Sequence, residues 1–183
     1  MPDRRDWVRL PLKLAEPILA PAGMEAPNPA SLSYRRARFV TTIPRDRLYT
    51  RTHVWVAREA DGSWRVGLTK FATRMLGEVV EFDLTRPPGS PVAAGEVLGW
   101  IEGFKAINDL YSPATGSFLD VNPAIQANPG LVNDDPQGEG WLCRLTGIID
   151  PSALDAEGYA ALLDRIIDDL QAETSAPTDN RPT

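Results

Sequence analysis

Apolar and polar positions change period several times between residues 48 and 170, and each change marks an element. His53-Val54-Trp55-Val56-Ala57-Arg58 reads as a half-buried strand, Asp61-Gly62 as a hairpin turn, and Trp64-Arg65-Val66-Gly67-Leu68 as the returning strand. Thr69 stands where a helix N-cap belongs. The short helix it predicts turns Phe71, Met75 and Leu76 inward before Gly77 ends it. Strand patterns follow at Val79 to Leu84, Val92 to Glu96, Val97 to Glu102, Leu110 to Ser112, Ser117 to Val121 and Trp141 to Leu145. Pro87-Pro88-Gly89, Gly95 and a turn from Pro113 to Gly116 separate them. The period then becomes helical: Leu154, Tyr159, Leu162, Leu163, Ile166 and Leu170 recur on one face, with Asp164, Asp168 and Asp169 on the other. The pattern predicts a small, mainly β domain with a short inserted helix and a C-terminal helix.

Proline and charge set the boundaries. Residues 1–47 hold seven of the 17 prolines and nine basic against five acidic side chains; residues 48–183 hold ten basic and 20 acidic. Proline at that density fixes φ and removes backbone donors, so 1–47 is predicted to be an extended, proline- and arginine-rich arm. Residues 48–173 form the folded domain, and the polar stretch 174–183 is a tail. Prolines and charges interrupt any apolar run in the arm, which argues against a secretory signal. Asp3, Asp6 and Glu16 count against import into the mitochondrial matrix, so the cytoplasm is the expected location.

Composition narrows the function. Hydrophobic residues at 43% and charged residues at 24% are globular values, and no apolar run approaches the ~20 residues that span a membrane. A formal charge of −6 argues against a nucleic acid partner. One cysteine, Cys143, and one histidine, His53, leave no multi-cysteine or polyhistidine metal site and no conventional hydrolase triad. Cys143 lies in an apolar strand and is read as inert core. Asp134, Asp135 and Glu139 lack the ligand spacing of a calcium loop.

Lysine is scarce: Lys13, Lys70 and Lys105 stand against 16 arginines. Lys13 falls in the arm, and Lys70 opens the short helix as a solvated cation. Lys105 sits at the tip of a turn between two strands, in Glu102-Gly103-Phe104-Lys105-Ala106-Ile107-Asn108-Asp109. A hairpin tip offers a modifying enzyme an accessible amine on a stiff base, and acylation there removes a charge the fold does not need. Position alone does not decide the matter, because an exposed turn lysine is ordinarily just a solubilising charge.

The surrounding motifs do carry a decision. Tyr49-Thr50-Arg51-Thr52-His53-Val54-Trp55-Val56, Val66-Gly67-Leu68-Thr69, Leu76-Gly77-Glu78-Val79-Val80 and Ala94-Gly95-Glu96 occur in order. Glu102-Gly103-Phe104-Lys105-Ala106 and Asp109-Leu110-Tyr111-Ser112-Pro113 follow, and then Val121-Asn122, Asn128-Pro129, Leu131-Val132-Asn133 and Gly138-Glu139-Gly140-Trp141-Leu142. Residues 48 to 170 thereby resemble the glycine cleavage system H protein family, lipoyl carriers of the biotinyl/lipoyl-domain type. The resemblance implies a flattened barrel or sandwich of two short sheets, and lipoate in amide linkage on Lys105. A biotin carrier is disfavoured, since Phe104 and Ala106 replace the methionines that usually flank a biotinyl lysine. By the same resemblance the chain is a non-catalytic carrier. It is served by a lipoate ligase or lipoyltransferase and shuttles between glycine decarboxylase, aminomethyltransferase and dihydrolipoamide dehydrogenase.

Departures from the family pattern fall around the cleft that holds the arm. The glutamate usual after the histidine is Val54, the histidine usual early in the short helix is Phe71, and the usual Ser-Val before the lysine is Gly103-Phe104. Asp109 matches a retained acidic position. Glu102, Phe104, Asp109, His53, Phe71 and Val54 are therefore the residues expected in arm holding or recognition. The loss of polar groups leaves a second reading open: an H-protein-like lipoate-binding protein carrying sulfur for a heterodisulfide-reductase-like complex.

Overall fold

The computed structural model describes residues 30–175 of the chain. In chain order these form β1 (Ser31–Arg36), β2 (Phe39–Pro44), β3 (Arg47–Tyr49), β4 (Val54–Arg58), β5 (Trp64–Leu68), α1 (Lys70–Leu76), β6 (Val79–Asp83), β7 (Pro91–Val92), β8 (Val97–Gly103), β9 (Ala106–Tyr111), β10 (Ala114–Val121), α2 (Pro123–Ala127), α3 (Leu131–Asp134), β11 (Cys143–Ile149) and α4 (Ala156–Ser175). Two sheets make a sandwich: one of six strands ordered β3-β4-β5-β11-β10-β7 and one of three ordered β6-β8-β9. The expected mainly β, lipoyl-domain-like sandwich is what forms. Val54, Val56, Val66, Leu68, Ile101, Leu110, Phe118 and Leu145 fill the space between the sheets, and Cys143 lies among them at the Val66 register. A second apolar cluster lies under α4, where Tyr49, Trp55, Tyr159 and Leu163 meet.

Local chemistry explains the elements that carry the site. Thr69 is extended, and its hydroxyl accepts the Ala72 N–H at 3.3 Å, so α1 begins there. Gly77 ends it at φ +81° and ψ −159°, a conformation nearly closed to residues with a Cβ. Gly67 faces Trp55 across the β4–β5 pair, and any side chain there would overlap the indole. The indole N–H is satisfied by the Pro136 carbonyl at 2.9 Å, and the Arg47 guanidinium lies 4.3 Å from the ring centroid.

The structure corrects the expected arm. Residues 31–44 are not an extended stretch but an antiparallel hairpin, β1 paired with β2 from Ser31↔Pro44 to Arg36↔Phe39. The physical reason is that no proline falls between Pro29 and Pro44, and the freed backbone can complete a ladder. Tyr34, Phe39 and Ile43 are buried against α4 and α1, so the hairpin has a core of its own to join. Tyr34 Oη donates to Asp164 at 2.9 Å, Arg36 Nε to Asp168 at 3.0 Å, and Gln137 Nε2 to the Thr42 carbonyl at 2.9 Å. The arm expected over residues 1–29 lies outside the described residues, as do residues 176–183 of the tail. Helix α4 runs on to Ser175, two residues past its expected end. Three local expectations also shift. Met75 is 47% exposed and not turned inward, strand β10 starts at Ala114 where a turn was expected, and the Val92–Glu96 strand shrinks to Pro91–Val92.

Candidate functional site

Strands β8 and β9 close on a two-residue turn, since Gly103 pairs with Ala106 and leaves Phe104 and Lys105 at the tip. The tip is stitched to the chain that leaves α1: the Phe104 N–H donates to the Glu78 carbonyl at 3.0 Å and the Lys105 N–H to the Leu76 carbonyl at 2.9 Å. Gly103 allows this contact, because a Cβ there would come 2.5 Å from the Leu76 oxygen. Among the described residues, the Lys105 ammonium has neither an ion-pair nor a hydrogen-bond partner, whereas Lys70 Nζ donates to the Asn133 carbonyl at 3.2 Å. Lys105 is therefore an exposed amine on a fixed base, as its place in the sequence suggested.

A cleft of about 470 Å³ opens beside the tip between β4, α1 and β9. Its lining includes His53 and Val54 from β4 and the turn before it, Met75 from α1, and Ile107, Asp109 and Tyr111 from alternate positions of β9. Among the described residues that line it, Asp109 is the one carboxylate. Ile107 is 64% exposed and Met75 nearly half so, giving the cleft apolar walls open to solvent.

His53 is held rigidly at one end. It takes φ +62°, a left-handed conformation that a non-glycine residue keeps only when its surroundings impose it. Its Nδ1 lies 3.0 Å from the Tyr159 hydroxyl, which is also 2.8 Å from Thr69 Oγ1. Phe71 packs against the imidazole with ring centroids 4.7 Å apart. Burial pushes the imidazole down to about 4, so it is neutral at pH 7. Cys143 is fully enclosed, and burial pushes its thiol up to about 12.

The expected site residues divide. His53, Val54 and Asp109 do meet in the cleft. Phe71 does not, and that expectation is corrected: it lies behind His53, buried between the imidazole and Phe39 of the hairpin. Its partner ring comes from β2, in the stretch read as an open arm. Glu102 lies on β8 outside the cleft, at the Ile107 register, and Phe104 stands at the tip with 75% of its surface exposed. Sequence reasoning missed Met75, Ile107 and Tyr111 as cleft residues. The signal for the last two was the alternation with Asp109 along one strand face.

A sandwich of two short sheets with a single lysine displayed at a hairpin tip is the architecture of the biotinyl/lipoyl carrier class. The model of the glycine cleavage H-protein family matches residues 47–161. A glycine cleavage system H protein of Mycolicibacterium vanbaalenii is 45% identical over 128 residues, covering 67% of this chain and 97% of that one. That of Rubrobacter xylanophilus is 46% identical over 122 residues, covering 67% and 95%. A crystal structure of a glycine cleavage system H protein from Mycobacterium marinum superposes with a TM-score of 0.60 at 39% identity, covering 65% of this chain and 97% of that one. The chain belongs to the glycine cleavage H-protein family.

Proposed function

We propose that Lys105 carries lipoate through an amide on its Nζ, and that the chain is the lipoyl-bearing carrier of a glycine cleavage system, moving an aminomethyl group between partner enzymes. The observation that supports it most is the unpartnered Lys105 amine on a backbone fixed to the α1–β6 connection, next to a cleft holding one carboxylate. Lipoate supplies a disulfide–dithiol couple that takes up and releases the carried group. The chain's residues do the rest. The stitched tip presents the arm, the Met75 and Ile107 walls offer it apolar contact, and Asp109 offers an anion to a cationic cargo.

Two groups with nucleophilic or acid–base chemistry among the described residues are occupied elsewhere, in keeping with a carrier. The neutral His53 is bonded to Tyr159, and Cys143 is enclosed in the core. The partners this reading requires are a lipoate ligase or lipoyltransferase, glycine decarboxylase, aminomethyltransferase and dihydrolipoamide dehydrogenase. The sulfur-carrying alternative, with its heterodisulfide-reductase-like complex, rested on Val54 and Phe71 standing where the family has polar groups, with Asp109 retained; of these two, Val54 does line the cleft. Phe71 is not in the cleft and Asp109 is, which supports the aminomethyl cargo. No helix among the described residues is long and apolar enough to cross a membrane, and none of them form a cluster of three or more metal-ligating side chains.

Peptide mass spectrometry of the chain produced with active lipoate ligation tests the attachment. Lipoyl on Lys105 alone is the expected result. An unmodified or biotinylated Lys105, or lipoyl on Lys70, would sink the reading.

A further inference from the structure

Two recesses flank the Lys105 tip, and they differ in charge. One is the cleft with Asp109. The other is an open groove of about 380 Å³ between β2 and α1, in the size range of small-molecule sites, about 300–1,000 Å³. Its walls include Phe39 and the half-exposed Val40 from the hairpin, Lys70 and Arg74 from α1, then Gly77 and Lys105 itself. None of the described residues that line it is acidic. The Lys105 stem already runs along this side: a Cβ on Gly77 would sit 3.2 Å from Lys105 Cγ, while Lys105 does not line the Asp109 cleft.

We propose that the groove is a second resting place for the lipoyl arm, used when the arm is the uncharged disulfide, while the Asp109 cleft takes the arm bearing a cation. The proposal rests on lipoylation of Lys105. Val40 offers the ring an apolar contact that removes surface from water. Lys70 and Arg74 are indifferent to a neutral ring but repel an ammonium, which Asp109 attracts. The wall is fixed, since Tyr34 is bonded to Asp164, Thr42 to Gln137, and the Arg38 carbonyl accepts from Arg74 Nη1 at 3.4 Å. Residues 31–44 precede the family match at residue 47, so the hairpin wall of this resting place lies outside the matched span.

Methyl-labelled full-length lipoylated chain gives the test by nuclear Overhauser contacts from the lipoyl ring protons. With the ring oxidised, contacts to the Val40 methyls are expected, and Val40→Asp should lose them while its amide spectrum shows an intact fold. After reduction and S-aminoethylation of both thiols with 2-bromoethylamine, which displaces bromide and gives the opened arm two ammonium groups at neutral pH, contacts should move to Ile107 and Met75. Contacts of the oxidised ring to Ile107 and Met75 only, or to no methyl, would overturn the second resting place. Contacts at Val40 that persist with the ammonium groups would overturn the sorting by charge. Failure of lipoylation itself would be read from the intact mass before any spectrum is taken, and would count against the attachment instead.

Discussion

Individual residues carry the site through their constraints more than through reactivity. His53 is the chain's only histidine, and its folded value of about 4 lies below the ordinary 6.5. The unfolded chain therefore takes up the proton first. The stability from keeping His53 neutral is complete above pH 6.5 and is lost as pH falls from there to 4. Between pH 7 and 5 the loss should be about 2 kcal/mol, from linkage at one site. Urea unfolding at the two pH values reads it, and His53→Gln should flatten the slope. Gly77 is constrained by its backbone: Gly77→Ala should cost about 1–3 kcal/mol, the penalty for a side chain in that glycine-only region. It should also slow lipoylation, because the new methyl meets the Lys105 stem; thermal unfolding and a timed ligation assay check the two effects. The place of Lys105 at a turn was legible from Gly103 and the flanking strands. The half-buried setting of His53 was not, because its partners Tyr159 and Phe71 lie 106 and 18 residues away in sequence.

Elements were legible where the local signal was strong. The Thr69 cap and the Gly77 stop bounded α1 correctly from four or five residues of context. The cap carries a double duty, since the Thr69 hydroxyl also meets Tyr159. Thr69→Ala should destabilise the fold by about 1–2 kcal/mol, the upper half of the usual cap range. Chemical denaturation checks this, with Thr69→Ser expected to recover most of it. Hairpin β1–β2 was illegible because proline density was averaged over the whole N-terminal segment, masking a proline-free run of alternating residues. Its burial of Tyr34, Phe39 and Ile43 depends on α4, whose face becomes a partner only in three dimensions. Tyr34→Phe keeps the ring and removes the bond to Asp164. About 1 kcal/mol of lost stability is expected, the net worth of one such hydrogen bond. The Arg36–Asp168 pair is nearly half exposed on both sides, and its removal should change little.

At the scale of the molecule, the fold keeps its carrier surface and its core apart. The core lies between the sheets and under α4, while the tip, the cleft and the groove all sit around one end of β8–β9 and α1. Residues 48–183 carry twice as many acidic as basic side chains, yet Lys70 and Arg74 lie together beside the tip, where an acylated Lys105 carries no charge. In the proposed carrier role, two cations beside the tip of an acidic body would orient encounter with a partner more than tighten binding. The family motifs made the sandwich readable in advance and pointed to Lys105 as the attachment lysine. The cargo was harder to read, because it turns on which side chains reach the cleft: Phe71 turns away from it and Asp109 does not.

The most direct measurement of the central claim is exchange of labelled bicarbonate into glycine by glycine decarboxylase, with the purified lipoylated chain as its only carrier. The expected result is exchange that requires lipoate and disappears in Lys105→Arg, which keeps the charge but offers no amine to acylate. A chain shown by mass spectrometry to carry lipoyl on Lys105 that still supports no exchange, while a relative from the same family does so in parallel, would contradict it.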